Sequence, residues 1–138
     1  MWLFYALLSA FFAALTAIFA KMGVAGINSN LATGIRTIVI LIMVWCIIFV
    51  RNQAKEISTL SRQHIIFLVL SGLATGLSWL FYFKALQIGK IAQVAPADKM
   101  SVVIAIILSV LFLKESVTTR EIAGAALIVA GVLVMAIK

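Results

Sequence analysis

Charge is scarce in this chain. Asp, Glu, Lys and Arg together make up 11% of its 138 residues, whereas a soluble globular domain carries about 25%. Hydrophobic residues make up 65% of the chain. So little polar material cannot cover a surface that faces water, which excludes an ordinary soluble domain. The composition therefore predicts an integral membrane protein of the all-α class.

Cysteine and histidine are rarer still, with one of each, Cys46 and His64. A single cysteine excludes an internal disulfide. Nothing in the sequence pairs a serine with the histidine, collects metal ligands or places two carboxylates at one depth, so neither an enzyme nor a bound metal or cofactor is expected. The net charge of +7 does not indicate nucleic acid, because the basic residues are scattered between apolar runs and form no stripe.

Long apolar runs are abundant. About 20 apolar residues in a helix cross a bilayer, and five runs of about that length are separated only by short connections. The predicted spans are residues 2–21, 31–50, 64–83, 91–113 and 121–137. The short connections predict a single five-helix transmembrane domain, 1–138, with antiparallel neighbours. A T-x-x-E pattern from Thr118 to Glu121 predicts a capping box at the start of the fifth helix.

The basic residues do not fix the orientation, because they are divided almost evenly between the two ends of the spans. Two topologies stay open. The chain either inserts with its N-terminus in the cytoplasm, or inserts both ways and pairs antiparallel with itself. Lys21, at the end of the first span, is interpreted as an interfacial residue whose ammonium group reaches the membrane surface.

The fourth span contains Pro96, Asp98 and Lys99. An ionisable side chain at the bilayer centre costs about 2.5–3.5 kcal/mol on insertion scales, so such residues usually face a cavity or a partner. Proline removes a backbone donor, and Pro96 is therefore predicted to break the helix. In a regular helix Asp98 and Lys99 would point about 100° apart, so they need not pair with each other.

Other spans place polar groups at a similar depth, counted from the same side of the membrane. At a rise of about 1.5 Å per residue, Thr16 and Arg36 lie about 7–8 Å deep, Trp79 about 8–9 Å, and Asp98 and Lys99 about 10–12 Å. Polar groups that converge from four helices are what a binding cavity needs. A buried structural ion pair between Arg36 and Asp98 also fits these depths, and both interpretations stay open.

Small residues mark faces suited to close helix packing. Gly72 and Gly76 form a G-x-x-x-G pattern in the third span, and Gly124 and Gly131 are seven residues apart in the fifth. In lipid, small residues at such spacings usually indicate helices that approach closely. Both faces are therefore expected to be contact surfaces.

Three segments carry a resemblance to a known family: AIFAKMGVAGINSNLATGIR, YFKALQIGKIAQVAPADKMSVVIAIILSVLFLKE and GAALIVAGVLV. In order they give a first hairpin, an aromatic-rich helix, a proline early in the next helix, Glu115 at its end and a G-x6-G helix. This set resembles the EamA-type branch of the drug/metabolite transporter superfamily, over nearly the whole chain. Most members have ten spans built as two inverted five-helix repeats, so the chain resembles a five-span, half-size bacterial or archaeal member.

The resemblance implies that two copies combine, as a parallel or antiparallel homodimer, to enclose a pathway. It also implies that Gly124 and Gly131 contribute to the subunit contact. The chain departs from many relatives in having Ala13 and Ala14 where they have Trp-Gly. It also lacks the acid that small multidrug resistance proteins place in the first helix. A cationic drug exporter of that kind is therefore a disfavoured alternative.

These observations together predict a secondary transporter in the cytoplasmic membrane, which moves a small polar metabolite across the lipid bilayer by alternating access. One acid and two bases favour an anionic or zwitterionic substrate. Asp98 is expected to titrate or to bind an ammonium group, and Arg36 and Lys99 to bind a carboxylate or another anion. The side chains expected to shape the pocket are Trp79, Tyr82 and Thr16. A non-transporting membrane subunit, or a partner of a lipid flippase, is the alternative of a different class.

Overall fold

The computed structural model describes residues 1–136, so the predicted end of the fifth span at Ile137 lies outside the described residues. Within that range the regular structure is entirely helical. Five helical segments are long and apolar enough to cross a membrane, namely Trp2–Gly23, Ser29–Val50, Arg62–Ile88, Ile91–Leu113 and Thr119–Ala136. The prediction of an all-α protein with five spans is confirmed.

The helices are labelled in chain order: α1 (Trp2–Gly23), α2 (Ser29–Val50), α3 (Arg62–Ile88), α4 (Ile91–Asp98), α5 (Met100–Leu108) and α6 (Thr119–Ala136). A short 3₁₀ helix, Gln53–Thr59, connects α2 to α3. The chain divides into two compact units, one of residues 19–87 and one of residues 1–18 with the described residues from Ile88 onward. The single domain expected from the sequence stays a prediction.

Side-chain caps explain where two of the helices begin. The Asn28 side chain accepts a hydrogen bond from the Asn30 N–H at 2.8 Å, which caps α2. At α6, Oε2 of Glu121 accepts bonds from the N–H and the hydroxyl of Thr118 at 2.7 and 2.8 Å. The Glu121 N–H in turn donates to Oγ1 of Thr118 at 3.4 Å. These reciprocal bonds satisfy donors that a helix start leaves open, and they confirm the predicted capping box.

The fourth span is interrupted rather than continuous. Pro96 lies inside α4, and the α-helical pattern stops three residues later, at Lys99. There the Lys99 N–H donates to the Pro96 carbonyl at 2.9 Å, and the Val102 N–H donates to the Lys99 carbonyl at 3.0 Å. Both bonds join residues three apart, instead of the four of an α-helix, which tightens the turn. On either side of it, α4 and α5 pack against α6 in the same unit.

The unit of residues 19–87 has its core where α1 ends, α2 begins and α3 ends. Val24, Phe83 and Leu86 are fully buried there. Lys21, interpreted above as interfacial, donates a hydrogen bond from Nζ to the Leu86 carbonyl. The last carbonyls of a helix have no partner within it and carry partial negative charge, so a cation is well placed to bind one.

Candidate functional site

Arg36 is the charged residue of the α2 span, and it lies against two aromatic rings of α3. Its guanidinium carbon is 5.1 Å from the ring centroid of Trp79 and 4.5 Å from that of Phe83. Because Trp79 and Phe83 are four residues apart, they share one face of α3. Tyr82 precedes Phe83 on α3, and the centroids of these two rings are 6.0 Å apart. We call Arg36, Trp79 and Phe83 the arginine cluster.

The arginine cluster stabilises a positive charge without neutralising it. Each cation–π contact contributes about 0.5–2 kcal/mol, depending on desolvation, and leaves the guanidinium N–H donors available. Within residues 19–87 the only acid is Glu56, which lies in the 3₁₀ helix that follows the opposite end of α2. Arg36 forms no salt bridge inside this unit. The cluster is therefore suited to receive an anion.

An open cavity of about 450 Å³ lies between α2 and α3, lined by residues that are exposed or half-buried. Trp79 forms part of its wall, so this cavity, which we call the α2–α3 cavity, adjoins the arginine cluster. Its wall also includes Gly72 and Gly76, and a Cβ added at either glycine would meet no described atom within 4 Å. The close packing expected from this G-x-x-x-G pattern is therefore not made by the described chain, and the glycines leave open space instead.

Hydroxyl groups are the polar part of the cavity wall. Thr37, Ser71 and Thr75 contribute them. Thr37 donates its hydroxyl hydrogen to the Thr33 carbonyl and Thr75 to the Ser71 carbonyl, both at 2.9 Å. Threonine hydroxyls bonded in this way to the preceding turn of their own helix can lie in apolar surroundings. The wall as a whole therefore remains largely apolar.

Asp98 and Lys99 lie in the other unit, at the interruption of the fourth span. Nζ of Lys99 is 3.5 Å from Oδ2 of Asp98, and the two side chains are 58% and 37% exposed, respectively. A regular helix would turn them about 100° apart, yet here the two charges lie together at the residue where the α-helical pattern is interrupted. The pair is only partly covered, so Asp98 keeps carboxylate surface for another partner.

The predicted site residues thus fall into two sets. Arg36, Trp79 and Tyr82 come together in the unit of residues 19–87. Asp98 and Lys99 pair in the other unit, which also contains the half-buried Thr16. A joint site formed by both sets stays a prediction.

The sequence reasoning missed two features of the site. Phe83 was treated only as the last residue of a span, although its spacing of four from Trp79 was a usable signal. The α2–α3 cavity was also missed. Its signal was the recurrence of small and hydroxyl residues at the same spacing of four, in the pairs Thr33 and Thr37, Ser71 and Thr75, Gly72 and Gly76.

The two glycines proposed for the subunit contact, Gly124 and Gly131, lie on α6. A Cβ added at either would meet no described atom within 4 Å. Among the described residues of α6, Val132 is the buried one. The small-residue face of α6 is therefore open within the chain, and a role in dimer packing stays a prediction.

Comparison with known proteins gives consistent results. The chain matches the EamA-like transporter family over residues 1–137. A Sinorhizobium sp protein described as an uncharacterized transporter is 52% identical over 136 residues, which cover 99% of this chain and 96% of that protein. An uncharacterized protein of Methanocaldococcus jannaschii is 28% identical over 96 residues, 70% of this chain and 69% of that one. No solved structure matches the chain significantly.

These matches agree with the composition and with the five apolar spans, which together identify an integral protein of the cytoplasmic membrane. The length of 138 residues fits a half-size member, with one five-helix repeat. Because the match covers almost the whole chain, the protein belongs to the EamA-like transporter family.

Proposed function

We propose that the protein is a secondary transporter that moves a small anionic or zwitterionic metabolite across the membrane by alternating access, as a homodimer. Membership of a transporter family supports the transport of a small molecule, and this assignment is compatible with the prediction that the chain is not an enzyme. The description of the Sinorhizobium relative as a transporter agrees with it.

The arginine cluster is the observation that supports an anionic or zwitterionic substrate. Arg36 keeps its positive charge in a membrane span, beside Trp79 and Phe83 and without a carboxylate partner in its unit. An uncompensated charge at this depth is expensive unless a ligand or a wet cavity supports it. A bound carboxylate would supply that support through paired N–H···O bonds to the guanidinium.

Asp98 completes the proposed mechanism. Its carboxylate, 37% exposed beside Lys99, would bind the ammonium group of a zwitterion or accept the coupling proton. Interrupted helices are a recurrent device at transporter sites, because they free backbone groups to line a pathway. The interruption at Lys99 places Asp98 and Lys99 at such a point.

A homodimer would provide the second five-helix repeat. Gly124 and Gly131 leave space on α6 that a helix of another copy can approach closely. Because the contact would have to close a pathway around both arginine clusters, a chain kept monomeric is expected to bind substrate weakly and to transport none.

The experiment is uptake into proteoliposomes containing the purified protein, with amino acids, organic acids, sugars and cationic drugs as candidate substrates. Thermal stabilisation by the same compounds reports binding separately. Asp98→Asn is expected to abolish uptake and leave the protein folded, and Arg36→Gln to abolish stabilisation by anions. Normal uptake by Asp98→Asn would remove that residue from the mechanism. A wild-type protein that neither binds nor transports anything would favour the non-transporting subunit.

A further inference from the structure

The α2–α3 cavity and the arginine cluster are linked by one side chain. Trp79 is both a wall of the cavity and one of the two rings beside Arg36. Thr37, which follows Arg36 in the chain, also lines the cavity. Arg36 itself does not line the cavity, so a ligand that reaches both would place its charged end at the guanidinium and extend its body past Trp79.

The chemistry of the wall restricts that body. Leucine, isoleucine, valine and tryptophan side chains form most of it, including Leu41, Val44 and Trp45. The hydroxyl hydrogens of Thr37 and Thr75 are already donated to backbone carbonyls of their own helices. A sugar or polyol would leave several of its own polar groups without partners here, and unpaired buried groups lower affinity. An apolar body has no polar groups that would be left unpaired in such a cavity.

The size of the cavity fits a small organic acid. Its volume of about 450 Å³ falls within the range of about 300–1,000 Å³ that is usual for ligand sites. Gly72 and Gly76 contribute to this space, since a Cβ added at either position would meet no described atom within 4 Å. These glycines therefore control how large a body the cavity accepts.

We infer that the substrate is a carboxylate with an apolar body, whose carboxylate binds Arg36 and whose body occupies the α2–α3 cavity. The inference rests on the proposed function and narrows its substrate class. The positive charge of Arg36, which has no salt bridge within residues 19–87, is what selects an acid rather than a neutral apolar molecule or a lipid acyl chain.

Binding to the purified full-length protein tests the charge requirement. Phenylacetate, acetate and neutral phenylacetamide are titrated, and the intrinsic tryptophan fluorescence, to which Trp45 and Trp79 contribute, is followed together with thermal stabilisation. We expect phenylacetate to bind at least about tenfold more tightly than acetate, since apolar groups in a fitting pocket contribute factors of about 10–200. Phenylacetamide is expected to show no saturable binding. Equal binding of phenylacetate and phenylacetamide would overturn the inference, because a lipid-filled groove behaves that way.

A pair of leucine substitutions tests the location. Gly76→Leu places a side chain in the cavity from a position where an added Cβ meets no described atom within 4 Å, whereas Ala74→Leu adds nearly the same bulk to an exposed position on α3 outside it. Gly76→Leu is expected to weaken phenylacetate at least about tenfold and to leave acetate within about twofold. Ala74→Leu should leave both acids unchanged. Gly72→Leu, one turn further from the cluster, repeats the test if Gly76→Leu does not fold.

The outcomes separate this inference from the proposed function. Transport of a polar zwitterion that is insensitive to Gly76→Leu would overturn the inference and leave transport standing. Phenylacetate binding that responds to Gly76→Leu, in a protein that transports nothing, would support the site and overturn the transport function. Failure of the wild-type protein to bind any of the acids would overturn the inference directly.

Discussion

The guanidinium carbon of Arg36 lies 4.5 Å from the ring centroid of Phe83, and Phe83 is completely buried. A buried ring has little freedom to move, so it fixes where the guanidinium rests. This gives Phe83 a positioning role that its place at the predicted end of a span did not reveal.

A double-mutant cycle between Arg36→Gln and Phe83→Leu measures this contact. Phe83→Leu keeps an apolar side chain but removes the π face, so each single substitution removes the cation–π interaction. We expect a coupling free energy of about 0.5–2 kcal/mol in thermal or chemical unfolding of the purified protein. Additive effects would show that Phe83 only fills space beside Arg36.

Replacing Lys21 tests the bond from α1 to the end of α3. Lys21→Met removes the hydrogen bond to the Leu86 carbonyl and is expected to lower the free energy of unfolding by about 1.5–3 kcal/mol, the range for bonds to charged groups. Lys84→Met is the matched control, because exposed Lys84 reaches only the Gln87 amide oxygen, at 3.5 Å. Equal effects of the two substitutions would contradict a structural role for Lys21.

The capping box of α6 is tested by Thr118→Ala, with Thr119→Ala as the control one residue later. The Thr118 hydroxyl makes two of the three hydrogen bonds with Glu121, and the loss of these two is expected to cost about 0.5–2 kcal/mol. Amide hydrogen exchange should rise in the first turn of α6. Unchanged exchange there, with only a global loss of stability, would argue against local capping.

Leucine substitutions on α6 test the dimer. Gly124→Leu and Gly131→Leu add bulk where the described chain has none within 4 Å, so folding of the protomer should be preserved while association weakens. Ala126→Leu, which lies about 200° around the helix from Gly124, serves as the control. Cross-linking in membranes and the mass of the purified protein provide the measurements. Unaltered association in both glycine variants would place the subunit contact elsewhere.

The features that were predicted correctly depend on neighbours in sequence. Spans follow from the length and hydrophobicity of single runs, and the Thr118–Glu121 capping box follows from a four-residue pattern. The proximity of Trp79 to Arg36 could be predicted, because counting residues from a common membrane surface places both at a similar depth.

The features that were not predicted depend on how helices are rotated and spaced. Counting residues gives depth but not the direction of a side chain around its helix, so Phe83 was not recognised beside Arg36. Nor can a G-x-x-x-G pattern say whether a helix or an open cavity faces it, as Gly72 and Gly76 illustrate. Regular helix geometry also separated Asp98 from Lys99, because it did not allow for the interruption at Lys99.

The charge balance of Arg36 has an electrical consequence for a transport cycle. Moving one elementary charge across a membrane changes its energy by about 2.3 kcal/mol for every 100 mV of potential. The arginine cluster is cationic when it is empty and neutral when it holds a monocarboxylate. Its movement through the field would therefore change its energy only in the empty state. In an alternating-access cycle the return of the empty site, and not the loaded step, would then respond to voltage. If Asp98 carries no coupling proton with the substrate, the direction of net flux would therefore depend on the polarisation of the cell as well as on the gradient of the substrate.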